Sequence, residues 1–359
     1  MIANPSFTSV YSRKVWLLIL AVSWSLLAGA PTQGQSYGKD VLHASIDSVM
    51  EAFHDSAMFN GTVLVAHSGI PVYRKAWGEA YMGMPLSEDT PFYLGSIAKQ
   101  FTAMVVLMLL DENDISLDQT IAPYFQDLPS FTREITIRNL LNHTSGLPDY
   151  YVLGKFVEGM TNEMVLDVVH SLDSLDFSPG SRFTYSNTGY VLLSVLLERI
   201  SGVSFREIVA HRIFSPLGMD HSIVYDGSQG PLPDHAVGHS ANGELNDYQA
   251  FTTGAGGIFS QIDDLFKWDQ ALYQKQLIDF KLFKEAYSPA QLSNGKQSYY
   301  GFGWRLQEGQ PHIVQHSGSL AGFKTYMYRD LNKRHTIILL SNFTNDVKTI
   351  KEVLVSLLQ

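Results

Sequence analysis

The chain has 359 residues, of which 45% are hydrophobic, so it is long enough to bury the core of one large catalytic unit. Its formal net charge of −10 at pH 7 argues against nucleic acid or an anionic membrane surface as a partner. The absence of cysteine excludes a disulfide framework, a thiol nucleophile, a cysteine-ligated zinc site and lipid attachment through an N-terminal cysteine.

The first predicted element is an export signal. Arg13 and Lys14 precede the apolar stretch 15–30, which ends in small residues. Because a stretch of about sixteen residues is short for a membrane span, the pattern predicts a signal peptide over residues 1–34 rather than an anchor. The catalytic domain is then 35–359. We expect it to be periplasmic or secreted, without stable membrane insertion.

The next predicted element is a β-hairpin. The strand-like runs 61–66 and 70–77 are separated by His67-Ser-Gly69, a turn that contains glycine. His67 is therefore expected to be a turn residue, although it begins a His-Ser-Gly sequence.

The first chemical motif, Ser-x-x-Lys, follows at Ser96 and Lys99. These residues open the apolar run 97–110, which lacks glycine and proline and predicts a buried helix. The Ser96 hydroxyl would lie near unsatisfied backbone N–H groups, with Lys99 one turn further on the same face. Standing alone, the motif is more typical of an N-cap serine followed by a surface lysine. The copies at Ser36–Lys39 and Ser293–Lys296 follow the signal or contain a turn pair, so neither is expected to lie on one rigid face.

Two further motifs lie downstream. Tyr185-Ser-Asn187 precedes the predicted helix 189–200, and by itself it would suit a helix-start turn capped by Asn187. His316-Ser-Gly318 ends a predicted strand and leads into another strand. A lone histidine is more often structural than catalytic, so the weight of this motif depends on the other two.

Strand signals cluster at the two ends of the chain, and helical signals fill the middle. One sheet is predicted from 62–77, 312–316, 323–329 and 335–341, with 347–358 as a terminal helix packed on it. The region of about 90–290 is expected to be a mostly helical insertion. Within it, Ser260–Asp263 predicts a capping box that opens a helix through Trp268. The site is expected in the cleft between the sheet and the insertion.

The order of the three motifs resembles the serine β-lactamase and penicillin-binding-protein superfamily. Within it, the likeness is to the branch of class C β-lactamases, D-alanyl-D-alanine carboxypeptidases, D-aminopeptidases and family VIII esterases. Four connecting segments, 136–148, 177–180, 216–219 and 254–260, also resemble family landmarks. The resemblance implies an α/β (α+β) fold in which an antiparallel sheet from both chain ends is flanked by helices.

The resemblance also implies a role for each matching residue. Ser96 would attack a carbonyl group and form an acyl-enzyme that water hydrolyses, while Lys99 and Tyr185 share the proton transfer. Which of the two is the base stays open. The backbone N–H groups of Ser96 and Ser319 would form the oxyanion hole, and Asn187 would bind the amide or ester side of the substrate. The substrate-binding residues expected in this way are Asn187, His316, Gly318 and Ser319.

The third motif departs from the many family members in which it begins with lysine. His316 is largely uncharged near neutral pH, which favours an esterase or a D-amino-acid-specific peptidase and predicts that mild acid would restore affinity for anionic substrates. The alternatives are a true β-lactamase or D-alanyl-D-alanine carboxypeptidase, or a catalytically idle relative that binds peptidoglycan. A metallohydrolase is disfavoured because no His-Glu-x-x-His pair occurs. No cofactor or metal is expected. His143 is expected to order the loop 142–146. The physiological substrate and the oligomeric state stay open.

Overall fold

The computed structural model describes residues 35–113, 115–232, 234–274, 276–278, 280–343 and 347–359, so the predicted signal peptide, 1–34, lies outside the described residues. The strands are β1 (Gly61–His67), β2 (Ile70–Trp77), β3 (Glu79–Tyr81), β4 (Met84–Pro85), β5 (Phe92–Tyr93), β6 (Ile223–Val224), β7 (Ile258–Ser260), β8 (Ala290–Gln291), β9 (Gln297–Ser298), β10 (Arg305–Gln307), β11 (Gln310–Leu320), β12 (Phe323–Asp330) and β13 (His335–Ser341). The α-helices are α1 (Gln35–Asp55), α2 (Ala98–Glu112), α3 (Ile137–Leu141), α4 (Asn162–His170), α5 (Asn187–Ser201), α6 (Phe205–Val209), α7 (Ser215–Leu217), α8 (Ile262–Gln274), α9 (Phe280–Phe283) and α10 (Val347–Leu357). Short 3-10 turns cover Gly95–Ile97, Ser130–Thr132 and Lys284–Tyr287, and a π-helical turn covers Ala210–Phe214.

A six-stranded antiparallel sheet, in the order β10-β11-β12-β13-β1-β2, is the frame of the described chain. The two chain ends meet directly in it, because β1 pairs with β13 and places Val63 opposite Leu339. Helices lie on both sides of this sheet. The predicted α/β (α+β) fold, with an antiparallel sheet drawn from both chain ends and flanked by helices, is confirmed.

The strand β1 shows why both faces of the sheet are covered. Successive side chains of a strand point to opposite faces. Leu64 and Ala66 belong to the large core shared with the inserted region, whereas Val63 and Val65 belong to a second core formed with α1 and α10. The strand is therefore continuously apolar from Val63 to Ala66 rather than alternating with polar residues, as expected for a strand buried on both faces.

The predicted hairpin is present as β1 and β2. Its turn is Ser68-Gly69, with φ angles of 54° and 76°, and positive φ at both central residues is typical of the turns that match strand twist. His67 is the last residue of β1 rather than part of the turn. Its ring stacks on the ring of His335 at a centroid distance of 4.5 Å.

The region between β2 and β10 holds α2 and α5, which pack against each other in the large core. It also contains a small sheet, β5-β7-β6, which was not predicted because strands of two or three residues show no readable alternation. No single helix of the described chain is long and apolar enough to cross a membrane. Only α5 taken together with Phe205–Leu217, at a bend of 83°, meets that length and composition.

The N-terminal helix α1 was not predicted, and it corrects the expectation for the Ser36–Lys39 copy of the first motif. That copy lies in the first turn of α1, so its residues do lie on a helix. Lys39 is nevertheless exposed to solvent, whereas Lys99 is fully buried. The copy at Ser293–Lys296 lies in the turn between β8 and β9, as predicted.

Two boundaries also differ from the predictions. Strand β11 does not end at His316 but continues to Leu320, because its later residues pair with β12. Helix α8 is opened by Gln261 and not by Ser260, since the Gln261 side-chain oxygen accepts a hydrogen bond from the Asp263 N–H at 2.7 Å. Ser260 cannot serve as the cap because it is the last residue of β7, where it pairs with Phe92.

Candidate active site

Ser96 and Lys99 lie where a 3-10 turn runs into helix α2. Ser96 is the middle residue of the turn Gly95–Ile97, and Lys99 is the second residue of the helix. This tight start brings the Lys99 Nζ to 3.1 Å from the Ser96 Oγ. The first motif therefore forms a direct contact between a hydroxyl group and an amine, as the acyl-transfer reading requires.

The Lys99 amine is fully buried, and all of its hydrogen-bonding positions are used. Besides Ser96, the Nζ donates to Asn187 Oδ1 at 2.8 Å and to the Ala255 carbonyl oxygen at 2.8 Å. Burial lowers the Lys99 pKa to about 7, with the positive charge of Arg305 acting in the same direction and the negative charge of Asp149 opposing it. A substantial share of the amine is consequently neutral at neutral pH.

Asn187 is the first residue of α5 and is held by a buried carboxylate. The Asp149 Oδ2 accepts hydrogen bonds from the Asn187 backbone N–H at 2.6 Å and from its side-chain Nδ2 at 2.9 Å. The amide oxygen is thereby turned toward Lys99. The N-cap residue, Ser186, makes no side-chain capping bond, so Asp149 supplies the negative charge that favours a helix N-terminus.

Tyr185 is a further neighbour of the Lys99 amine. The Lys99 Nζ is 5.0 Å from the centre of the Tyr185 ring, and the Arg305 guanidinium carbon is 5.3 Å from the same centre. The Tyr185 hydroxyl is buried without a hydrogen-bond partner among the described residues. Burial raises its pKa above the ordinary value, although the nearby Ser96 hydroxyl and Arg305 act against this. The phenol is therefore protonated in the free protein.

Glycines allow β11 to approach the nucleophile closely. Gly95 has a φ of 56°, and a Cβ atom there would lie 2.7 Å from the Ser319 nitrogen. A Cβ atom on Gly318 would lie 1.9 Å from the Leu94 carbonyl oxygen. The backbones around Ser96 and Ser319 thus come together only because both positions lack a side chain, which is the approach that a two-donor oxyanion hole needs.

His316 is buried behind the site, and both of its ring nitrogens are engaged. The Nδ1 lies 2.8 Å from the Ser317 carbonyl oxygen, and the Nε2 lies 2.9 Å from the Tyr300 hydroxyl. Since a carbonyl only accepts, the Nδ1 carries the proton and the Nε2 accepts from the phenol. Burial, followed by the charges of Arg305 and Lys99, lowers the His316 pKa to about 3. The expectation that mild acid would charge this ring is therefore wrong, because the ring stays neutral well below pH 5.5.

Two cations that were not predicted as site residues, Arg305 and Lys324, lie beside the site, where His316 supplies no charge. Arg305 is exposed, and its guanidinium carbon lies 5.3 Å and 5.7 Å from the ring centres of Tyr185 and Tyr300. Lys324 is near the mouth of the cleft, where its Nζ donates to the Ser319 Oγ at 2.6 Å. Within the described chain neither cation pairs with a carboxylate. These charges are uncompensated locally, in a chain whose net charge is −10.

The loop 142–146 lies against Tyr185. The His143 Nδ1 accepts a hydrogen bond from the Ser186 N–H at 3.2 Å, and its ring centre is 4.2 Å from that of Tyr185. His143 has a φ of 60°, which is uncommon for a residue other than glycine. Its position supports the reading that it orders the loop.

These residues surround a pocket of about 490 Å³. Its lining includes three of the predicted residues, Ser96, Asn187 and Ser319, together with polar Asn246 and Thr252 and the aromatic side chains of Tyr93, Tyr150, Tyr151 and Phe156. The lining does not include Tyr185 or His316, although His316 was predicted to bind the substrate. A second cavity of about 490 Å³, near the end of α1, shares no lining residue with the first.

No metal centre is evident in the described part of the chain, where no three histidine or acidic side chains come together in a way that could hold an ion. Two His-x-x-x-His spacings do occur, at His235/His239 and His312/His316. They lie in a loop and in strand β11 rather than on one helix face.

Asp149, Ala255, Tyr300 and Arg305 are the contributors that sequence reasoning missed. Ala255 acts through its backbone, which no side-chain pattern reveals. Asp149 directly follows the landmark segment 136–148, and the acidic residue at the end of that segment was the available signal.

Comparison with known proteins gives consistent matches over most of the chain. The family model described as beta-lactamase matches residues 46–354. A penicillin-binding protein of Bacillus subtilis (strain 168) is 35% identical over 334 residues, which is 84% of this chain and 72% of that protein. A D-aminopeptidase of Brucella canis is 27% identical over 300 residues, and there the match covers 79% of this chain but only 56% of the relative's length.

Solved structures show the same fold. The octameric penicillin-binding protein homologue from Pyrococcus abyssi superposes with a TM-score of 0.72 at 25% identity, covering 84% of this chain and 73% of that one. The D-amino acid amidase from Ochrobactrum anthropi SV3, in complex with D-phenylalanine, gives a TM-score of 0.74 at 23% identity, covering 88% and 98%.

Proposed function

The chain belongs to the beta-lactamase family, and from that premise we propose that it is a serine hydrolase whose nucleophile is Ser96. The observation that carries the proposal is the 3.1 Å contact between the Ser96 hydroxyl and the buried, partly neutral Lys99 amine. A serine hydroxyl needs an adjacent base to react at neutral pH. Lys99 is that base in our proposal.

The hydrogen bonds of Lys99 suit the neutral amine. A neutral amine has two N–H donors and one lone pair, and two of the three neighbours of the Nζ, Asn187 Oδ1 and the Ala255 oxygen, can only accept. The lone pair is then left to face the Ser96 hydroxyl. Lys99 takes the hydroxyl proton as the Ser96 oxygen bonds to the substrate carbonyl carbon. The backbone N–H groups of Ser96 and Ser319 donate hydrogen bonds that stabilise the negative charge developing on the carbonyl oxygen.

Tyr185 is proposed to pass a proton to the leaving group. Its buried hydroxyl keeps its proton in the free protein, so it is a better donor than base. When the tetrahedral intermediate collapses, the bond to the leaving group breaks and that group takes a proton from Tyr185. Lys99 then passes the proton that it took from Ser96 to the Tyr185 oxygen. Water then releases the acid from Ser96 by the same steps in reverse order.

We propose esters and D-amino-acid-containing amides or peptides as the substrates. The neutral His316 offers no fixed charge for a substrate carboxylate, which supports this choice. A carboxylate-bearing substrate, such as an acyl-D-alanyl-D-alanine peptide or a β-lactam, is the second candidate. The observation that favours it is the cation Arg305 beside Tyr185. If Arg305 holds the carboxylate, Arg305→Gln should lower kcat/KM for the peptide at least tenfold more than for an amide that lacks a carboxylate.

The nucleophile is tested with Ser96→Ala, which removes one oxygen atom and almost no core volume. We expect hydrolysis and covalent labelling by a fluorophosphonate probe to disappear while the thermal midpoint changes little. Ser293→Ala is the matched control, because Ser293 also has a lysine three residues later but lies in a surface turn, and it should keep full activity. More than a trace of activity in Ser96→Ala, or a label on another residue, would rule out the assignment.

The substrate class is tested with a panel of p-nitrophenyl esters, D-amino-acid amides, acyl-D-alanyl-D-alanine peptides and nitrocefin.

Export is a further proposal that rests on the pattern of residues 1–34. A fusion of those residues to a reporter that is active only outside the cytoplasm should give signal, and loss of Arg13 and Lys14 should reduce it.

A further inference from the structure

The rim of the catalytic pocket carries a concentrated patch of exposed apolar side chains. Tyr151, Val152, Leu153 and Val157 are 47%, 84%, 43% and 47% exposed, and they lie within one stretch of seven residues. Elsewhere in the described chain, no more than two large exposed hydrophobic side chains occur within seven residues of each other. Contiguous apolar surface of this kind is typical of a binding site.

The patch is held in place by its own hydrogen bonds. The Leu153 N–H donates to the Asp149 carbonyl oxygen at 2.9 Å, and the Lys155 N–H donates to the Tyr150 carbonyl oxygen at 3.0 Å. The Asp149 carboxylate also accepts from the Tyr151 N–H at 2.7 Å, while its other oxygen holds Asn187. The residue that orients the amide of the catalytic site therefore also anchors the patch. Its position relative to Ser96 is set by the fold.

The patch is continuous with the catalytic pocket. Tyr151 and Phe156 both line that pocket, and their ring centres are 4.8 Å apart. Around Ser96 the lining is largely polar, with Asn187, Asn246, Thr252 and Ser319. An apolar group on a substrate bound at Ser96 is poorly matched by that lining. Tyr151 and Phe156 are the part of the lining that leads to the exposed patch, so such a group can leave water by extending over them toward Val152.

We propose that residues 151–157 form an apolar subsite that binds the hydrocarbon part of an ester or amide substrate at the mouth of the pocket. The occupant is the substrate's own aliphatic or aromatic group, lying along Tyr151, Val152, Leu153 and Val157. This inference rests on the proposed function, because it takes Ser96 as the point from which the group extends. It narrows the substrate class to molecules with a polar reacting centre and a long apolar arm.

The test is a chain-length series of p-nitrophenyl esters, from acetate to octanoate, kept below their micelle-forming concentrations. Each methylene that leaves water fully is worth up to about a fourfold rise in kcat/KM. In the natural protein kcat/KM should therefore rise along the series, which gives an octanoate-to-acetate ratio of kcat/KM well above one. In the double variant Val152→Ser/Leu153→Ser it should fall at least tenfold.

Val203→Ser is the matched control, since Val203 is 48% exposed in the turn between α5 and α6, outside the patch. It should leave the ratio unchanged. Val157→Ser should lower the ratio by a smaller factor and serves as a second variant if the double variant folds poorly. An unchanged ratio in both patch variants, or an equal loss for acetate and octanoate, would overturn the subsite.

A binding measurement separates this inference from the proposed function. In Ser96→Ala, which cannot turn over, calorimetry should show that N-octanoyl-D-phenylalanine amide binds at least tenfold more tightly than its N-acetyl counterpart. Val152→Ser/Leu153→Ser should remove that difference. If hydrolysis does not depend on Ser96 but the binding difference stands, the proposed function fails and the subsite does not. If phosphatidylcholine vesicles bind the natural protein but not the double variant, while the ester ratio is unchanged, the patch is a membrane contact and the subsite is overturned.

Discussion

Lys99 is fully buried, and burial is the main reason why its pKa falls to about 7 from its usual value of 10.5. Between these two values the unfolded chain binds a proton that the folded chain does not. The free energy of unfolding therefore increases as the pH rises from about 7 toward 10.5, by at most about 5 kcal/mol. The same burial that lowers the pKa of the proposed base destabilises the folded protein at neutral and acidic pH.

Replacing this amine by an apolar group of similar length should expose that cost. Lys99→Met should abolish turnover. The free energy of unfolding of Lys99→Met, minus that of the natural protein, should also be larger at pH 6.5 than at pH 9.5. We expect this difference to change by about 3 kcal/mol between the two pH values. Urea unfolding of both proteins at the two pH values measures this difference. A stability difference that does not vary with pH would contradict the lowered Lys99 pKa.

Asp149 should act on the reaction through Lys99 and Asn187, the two neighbours whose charge and orientation it influences. In the natural protein kcat/KM should rise with pH through about 7, as Lys99 loses its proton. Asp149→Asn removes a negative charge that raises the Lys99 pKa and an acceptor that orients Asn187. The rising limb should therefore move to lower pH, and kcat should fall at least tenfold. Asp167→Asn, at an exposed position on α4, is the control, and a limb that stays in place would contradict this role.

At the scale of elements, the site depends on how closely the turn before α2 approaches strand β11. The Thr325 hydroxyl on the neighbouring strand β12 also ties this contact, since it donates to the Leu94 carbonyl oxygen at 2.7 Å. The same carbonyl would be 1.9 Å from a Cβ atom on Gly318. A side chain at this position must therefore push the strand away from the turn that carries Ser96.

Gly318→Ala should separate the two N–H groups proposed for the oxyanion hole. We expect kcat to fall by a factor of about 10²–10³, as for removal of one oxyanion donor, while the ester is still bound. The control is Gly189→Ala in α5, where a Cβ atom would lie 3.6 Å from Leu140, an ordinary contact distance. The control should keep its activity and gain up to about 1 kcal/mol of stability, because alanine favours a helix. Full activity in Gly318→Ala would show that the close approach is dispensable.

Local periodicity explains which elements could be predicted from the sequence. The run that became α2 and the runs that became β12 and β13 are long and apolar, so their type was readable. Helix α1 also carries an apolar stripe, at Leu42, Ile46, Met50 and Phe53, with the spacing of an amphipathic helix. Asp149 and Arg305 could not be found in this way. Their roles depend on contacts with α5 and Tyr185 across the fold, and spacing along the chain does not encode such contacts.

For the whole molecule, the cleft exists because two layers are held at a fixed separation around it. The sheet forms one layer, and the region that contains α2, α5 and α8 forms the other. Most of the contact between them is apolar. One exception is the buried pair of Arg329 on β12 and Asp269 on α8, which are 1% and 0% exposed with Nε and Oδ1 2.5 Å apart.

This pair should link stability to the geometry of the cleft. Arg329→Met leaves the Asp269 carboxylate buried without its cation and should cost about 3–5 kcal/mol of unfolding free energy. The double variant Arg329→Met/Asp269→Leu removes both charges, so it should recover most of that loss, because a buried ion pair repays little more than the cost of taking two charges out of water. Thermal and urea unfolding of the single and double variants measure the cycle, with Arg133→Met as an exposed control. Arg329 also donates to the Tyr287 hydroxyl at 2.6 Å. The double variant lacks this hydrogen bond, so its unfolding free energy should stay below that of the natural protein by the bond's net contribution. If the single variant loses less than about 1 kcal/mol, the pair does not hold the two layers together, and the apolar core alone sets the width of the cleft.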